Sequence, residues 1–192
     1  MNIIEIFTKS LFLIISFDND LWEIIILSLY VSIFALIVAS IFGLLIGYYI
    51  ALKNFPFKSF ILIVLNSLMG IPPVVVGLIV YFLFASGGPL GVLQLLYTPT
   101  AMIIAQVIII FPIVTSISHE IFDQNWREYK DQLRSINMPF FGVAFIITKH
   151  SYFLVITALL SAFGRAISEV GAVMIVGGNI DHFTRVMTTA IS

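Results

Sequence analysis

Two stretches of this chain, residues 24 to 52 and 59 to 119, contain no Asp, Glu, Lys or Arg. About 20 predominantly apolar residues suffice for one helical crossing of a bilayer. The first stretch therefore predicts one span, about 24–52. The second has room for two, about 59–85 and 100–118, with the turn marked by "SGGPLG". A fourth span is expected at about 151–176. In lipid every backbone polar group must be satisfied within the fold, so the fold class is all-α and polytopic. Composition agrees. Hydrophobic residues make up 60% and charged residues only 10% of the sequence, which holds 18 Phe; an ordinary soluble domain carries roughly 25% charged residues.

Several function classes drop out. A net charge of −1 offers no basic field for nucleic acid. The absence of Cys removes disulfides and thiolate metal sites. His119, His150 and His182 stand apart, without metal-ligand spacing. No phosphate-cradling GxxxxGK[ST] motif occurs, so the chain is not expected to hydrolyse ATP itself. It is not read as an enzyme, and no metal or cofactor is expected in it.

Residues 1–19 read as an interfacial helix. Ile3, Ile4, Phe7, Leu11, Ile14 and Ile15 share one face, and the run between Lys9 and Asp18 is too short to cross. The remainder, 20–192, reads as one transmembrane domain. Lys53 and Lys58 lie in one connection, and Arg127, Lys130, Arg134 and Lys149 in another. The positive-inside tendency puts those connections, including 119–150, in the cytoplasm and both termini outside.

Within the spans, Ala35, Ala39, Gly43 and Gly47 form a small-residue stripe, suited to close packing within the chain or against a second copy. "GIPPVVVG" places Pro72 and Pro73 at bilayer depth, where they remove backbone donors. The resulting kink is either static or borders a water-filled pathway. Gln106 is expected to make an interhelical hydrogen bond. Arg165 and Glu169 sit one turn apart in an apolar segment, where each charge costs at least about 2.5 kcal/mol unless compensated. They read as an ion pair, either fixing helix register or gating a path. Gly164, Ser168 and Ala172 form a second small-residue stripe beside them. Arg185 is expected outside, solvated or in contact with an anion or a binding protein.

Asn125 followed by Glu128 resembles a capping box, which predicts a separate amphipathic helix over about 126–136. Trp126, Tyr129, Leu133 and Ile136 share its apolar face, and Asn137 with Pro139 ends it. That face has two candidate partners, the inner rim of the membrane and a groove in a cytoplasmic protein.

The run "DQLRSINMP" resembles the cytoplasmic signature of permease subunits in binding-protein-dependent ABC importers. Asp131 takes the signature's Glu position, Gln132 and Leu133 its two Ala, and Asn137 its Gly. "GIPPVVVGL", "GPLG" with "LLYTPTAMIIAQ", and "GRAISEVGAVMIVGGNI" with "TRVMTTAI" are similar to the tungstate-type branch of that family. The resemblance covers about residues 20–192 and implies an importer-permease helical bundle in a bacterial cytoplasmic (inner) membrane. It implies a homodimer, two ATPase subunits that bind ATP and Mg, and a periplasmic or lipid-anchored oxyanion-binding protein. It assigns Asp131, Gln132, Leu133 and Asn137 to ATPase coupling, and the apolar face of Trp126, Tyr129, Leu133 and Ile136 is expected to dock on the same subunit. Pro72, Pro73, Arg165 and Glu169 fall to the translocation path. Tungstate is the expected substrate, with molybdate or sulfate the near alternatives and an ATPase-independent channel or secondary transporter the rival of another class. The branch has a further, final span, so with four spans this chain reads as one short.

Overall fold

A computed structural model describes residues 15–16 and 18–191; the interfacial helix expected at 1–19 lies almost wholly outside the described residues. Helix α1, Asn19–Leu52, starts where the Asp18 carboxylate accepts the Leu21 N–H at 3.1 Å. At 34 residues it is about 50 Å long, ample for a crossing. It is apolar all round, so its faces differ in side-chain size rather than polarity. Ser28, Ser32, Ala35, Ala39, Gly43 and Gly47 face inward, while Ile33, Ile37, Ile41 and Leu45 are exposed. Small residues inward and large ones outward is how helices pack when lipid is as apolar as the core.

The partner of that stripe is α4, Pro99–Ser135, which runs through the centre of the bundle. A Cβ added at Gly43 would come within 2.9 Å of Val114, and one added at Gly47 would collide with Ser118 and the Thr115 carbonyl. The Ser118 hydroxyl donates to the Thr115 carbonyl at 3.1 Å and reaches the Gly43 carbonyl at 3.4 Å. The stripe therefore serves packing within the chain.

Among the described residues, two helices are long and apolar enough to cross a membrane by themselves, Asn19–Leu52 and Pro99–Leu133. The span expected at 59–85 is two helices, α2 (Lys58–Met69) and α3 (Pro73–Phe84), bent by 99° at Gly70–Pro72. Pro73 opens α3 at a position where its missing N–H costs nothing. The span expected at 151–176 is also broken, into α6 (Tyr152–Ile167) and α7 (Gly171–Gly177). Helix α5, Phe140–His150, precedes α6 across a 76° bend, and a short α8, Met187–Ile191, follows.

One expectation is corrected outright. There is no separate helix at 126–136, because α4 continues without interruption to Ser135. Asn125 does not cap; its Nδ2 donates to the Ile121 carbonyl one turn back, at 2.8 Å. Residues 119–125 hold no Pro or Gly, and Ile121 and Phe122 are buried, so the apolar stripe runs straight through. The helix ends as the sequence indicates, with Asn137 left-handed at φ 47° and Pro139 beyond it. The second stripe is also corrected. A Cβ at Gly164 meets nothing within 4 Å, and the inward face of α6 is Ala158, Ala162 and Ala166. Helix α6 stops before Ser168, so the assumed repeat is not continuous.

Charges separate to the two ends. Asp123 binds Arg127 at 2.7 Å and Lys58 at 3.6 Å at the basic end. Asp20, Glu23, Asp181, His182 and Arg185 gather at the acidic end.

Candidate functional site

The two broken spans meet. A Cβ at Gly77 of α3 would lie 2.7 Å from the Ala172 Cα of α7, and one at Gly171 would lie 2.6 Å from Val74. The half-helices α3 and α7 thus lie against each other backbone to backbone, and both begin at a break.

A break at bilayer depth exposes carbonyls that water cannot reach. Here most find partners. Ser168 N–H donates to the Gly164 carbonyl at 3.2 Å, the Ser168 hydroxyl to Arg165 at 3.2 Å, and Glu169 N–H to Ala166 at 3.2 Å. Gln106 Nε2 on α4 adds a 3.0 Å bond to the Ala166 carbonyl, the interhelical bond expected of it. Thr188, beyond α7, donates to the Glu169 carbonyl at 2.8 Å.

The Glu169 side chain fills the gap. Its Oε1 accepts the Ala172 N–H at 3.1 Å, capping α7, and its Oε2 accepts Arg165 Nη1 at 2.8 Å. Glu169 is 5% exposed and Arg165 37%. The pair forms as its spacing suggests, but across a helix end rather than along one turn. Arg165 also borders an apolar cavity of about 120 Å³ with Met69, Ile71, Val76, Ile109 and Ile113. Arg165 and Ile71, the latter in the bend beside Pro72 and Pro73, therefore line one cavity. Pro72 is exposed and Pro73 half-buried, and the contribution of this bend to the lining is Ile71. Because Glu169 neutralises Arg165, the cavity carries no net positive charge from that pair.

The seven residues at the α4–α5 junction divide. Leu133 is buried, and Trp126 and Tyr129 pack with it in a cluster with Phe122, Val143 and Ile147. The Tyr129 and His150 rings meet edge-on at 5.0 Å. The Trp126, Tyr129 and Leu133 part of the apolar face is thus covered by α5 of the same chain, because the left-handed turn at Asn137 folds α5 back, while Ile136 stays outside the cluster. Asp131, Gln132, Ile136 and Asn137 are exposed.

At the acidic end Arg185 donates to Asp181 at 2.8 Å. Its surroundings are acidic, which leaves it poorly placed to attract a free anion. His182, isolated in sequence, lies 3.0 Å from Glu23 of α1. The bond to Glu23 raises the His182 pKa, with Asp181 adding to it. A raised folded value means that protonation stabilises this contact. The link is complete below the ordinary value of about 6.5 and is lost as pH rises through the raised one. Hydrogen exchange of residues 180–185 is expected to quicken over that rise, and Glu23→Gln to flatten the dependence. The Met187 N–H likewise donates to Ser28 at 2.7 Å. Residues 159 positions apart give no linear signal for either contact.

A family model for the binding-protein-dependent transport system inner membrane component matches residues 39–192. This chain belongs to that family. Among relatives, the permease is 40% identical over 190 residues to the tungstate uptake system permease protein TupB of Peptoclostridium acidaminophilum, covering 99% of this chain and 83% of the relative. It is 39% identical to a probable anion ABC transporter permease protein of Haloferax volcanii, covering 86% and 73%. It is 33% identical to TupB of Campylobacter jejuni, covering 97% and 78%. The permease is thus an inner-membrane component of a transport system, all-helical, and dependent on a binding protein.

Proposed function

We propose that this permease moves a tetrahedral oxyanion, tungstate foremost, into the cytoplasm as a homodimer driven by two ATPase subunits. The observation that carries the reading is the 40% identity along almost the whole chain to a tungstate uptake permease. The paired helix breaks around Arg165 and Glu169 support it physically. A neutralised Arg suits passage better than capture, since a permanent cationic site would hold a dianion too long to release it. The acidic end, which carries Asp20, Glu23 and Asp181, faces outward on the positive-inside rule and repels free anion. Delivery by a binding protein overcomes that repulsion.

In cells expressing the chain with its partner subunits, labelled tungstate is expected to accumulate ahead of molybdate, and molybdate ahead of sulfate. Preference for an amino acid or a cation would overturn the reading.

The ATPase docks on the exposed Asp131, Gln132, Ile136 and Asn137 rather than on the apolar face. Gln132→Arg is expected to weaken co-purification with the ATPase while leaving thermal stability within about 0.5 kcal/mol, as for an exposed substitution. Leu133→Asp buries an unpaired charge and is expected to lower expression instead. If Gln132→Arg and Ile136→Asp both leave ATPase capture intact, the docking surface lies elsewhere.

A further inference from the structure

The basic end holds a cleft that the transport reading does not use. It opens between the end of α1, the start of α2 and the extension of α4, and has a volume of about 290 Å³. Asn54, Lys58, Asp123, Trp126, Arg127 and Lys130 line it. Three cations face one acid. Asp123 is already shared by Lys58 and Arg127. Lys130 is half-buried in the cleft and forms no ion pair among the described residues. The lining of the cleft therefore carries a cationic excess, three cations to one acid.

Its surroundings set its depth. The connection before α2 carries Phe57, 77% exposed, and the first turn of α2 carries Phe60, 62% exposed. The Tyr49 and Phe55 rings, close in sequence to Ala51 and Asn54 of its lining, meet in a tilted pair at 6.0 Å. Exposed aromatic rings next to cations, where a long apolar band ends, mark the level of lipid headgroups. On the positive-inside rule this is the cytoplasmic leaflet, whose anionic lipids attract basic residues near the surface.

We propose that this cleft binds a phosphate group, namely the headgroup phosphate of an anionic lipid such as phosphatidylglycerol. Lys130 and Arg127 contact the phosphate oxygens. Asp123 restrains Lys58 and Arg127 and so limits affinity.

The test is retention of phosphatidylglycerol against phosphatidylcholine by the full chain in detergent, read by native mass spectrometry. The Lys130→Gln and Asp123→Asn variants are compared with the parent, and inorganic phosphate is titrated separately. Lys130→Gln is expected to weaken phosphatidylglycerol retention about fivefold, the contribution of one basic residue near an anionic surface. Asp123→Asn is expected to strengthen it, and phosphatidylcholine retention is expected to be unchanged. Saturable displacement by inorganic phosphate, with the same dependence on Lys130, would keep the phosphate site and assign it a soluble source. Equal phosphatidylglycerol retention by the parent and both variants would overturn the site. So would complete displacement of the lipid by an added ATPase subunit whose capture itself requires Lys130, since the cleft would then be a protein contact.

Discussion

Replacing Glu169 by alanine is expected to abolish uptake and to destabilise the permease by about 2–3 kcal/mol. Two losses combine. The buried Ala172 N–H loses its acceptor, which costs about 1–3 kcal/mol. Arg165 loses its counter-charge beside an apolar cavity. Arg165 is 37% exposed, so the second loss falls short of that for a fully buried pair. Glu169→Gln separates the two. Its amide oxygen still accepts from Ala172, so stability is expected to hold within about 1 kcal/mol. The guanidinium is then uncompensated, and uptake is expected to fall at least tenfold while bound oxyanion lingers. Thermal unfolding in detergent read alongside uptake distinguishes the variants. Equal uptake by all three would exclude the pair from the translocation path.

Gly77→Val is expected to be strongly damaging to packing at the candidate site. Its Cβ would sit 2.7 Å from a backbone atom of α7, so the neighbour cannot rotate away. Overpacking of this kind costs about 1–3 kcal/mol, and here it also parts the two half-helices at the candidate site. Gly164→Ala is the control. Open space surrounds that position, and alanine favours the helix by about 0.5–1 kcal/mol. The melting temperature is expected to drop clearly for the first variant and to hold or rise for the second.

The long apolar helices were legible because charge is costly in lipid, and charge-free runs can be read directly. The break at Pro72 was legible for the same kind of reason, since proline removes a donor wherever it stands. The break at Ser168–Val170 was not. It contains no proline, and the Glu169 carboxylate makes it tolerable by accepting the Ala172 N–H in the first turn of the next helix. That carboxylate reads equally well as an ordinary member of a helical turn. Asn125 misled in the opposite direction. Asparagine three residues before glutamate fits a cap, yet its amide can also bond the carbonyl one turn back inside a helix. Buried Ile121 and Phe122 decided between the two. The apolar face of Trp126, Tyr129, Leu133 and Ile136 calls for a cover, but amphipathicity does not say which element supplies it, and Ile136 stays exposed. The Arg165–Glu169 pair was legible from spacing and cost. The cavity beside it depends on Ile71 in the α2–α3 bend converging with Ile109 and Ile113 of α4, and no local pattern records that.

The most direct measurement is oxyanion flux into proteoliposomes that hold this permease with its ATPase subunits, the binding protein being supplied outside. Labelled tungstate is expected to enter only when both ATP inside and the binding protein outside are present, and Glu169→Gln is expected to suppress that entry. Tungstate entry at the same rate without ATP, unaffected by Glu169→Gln, would contradict the account and make the chain a channel or secondary carrier.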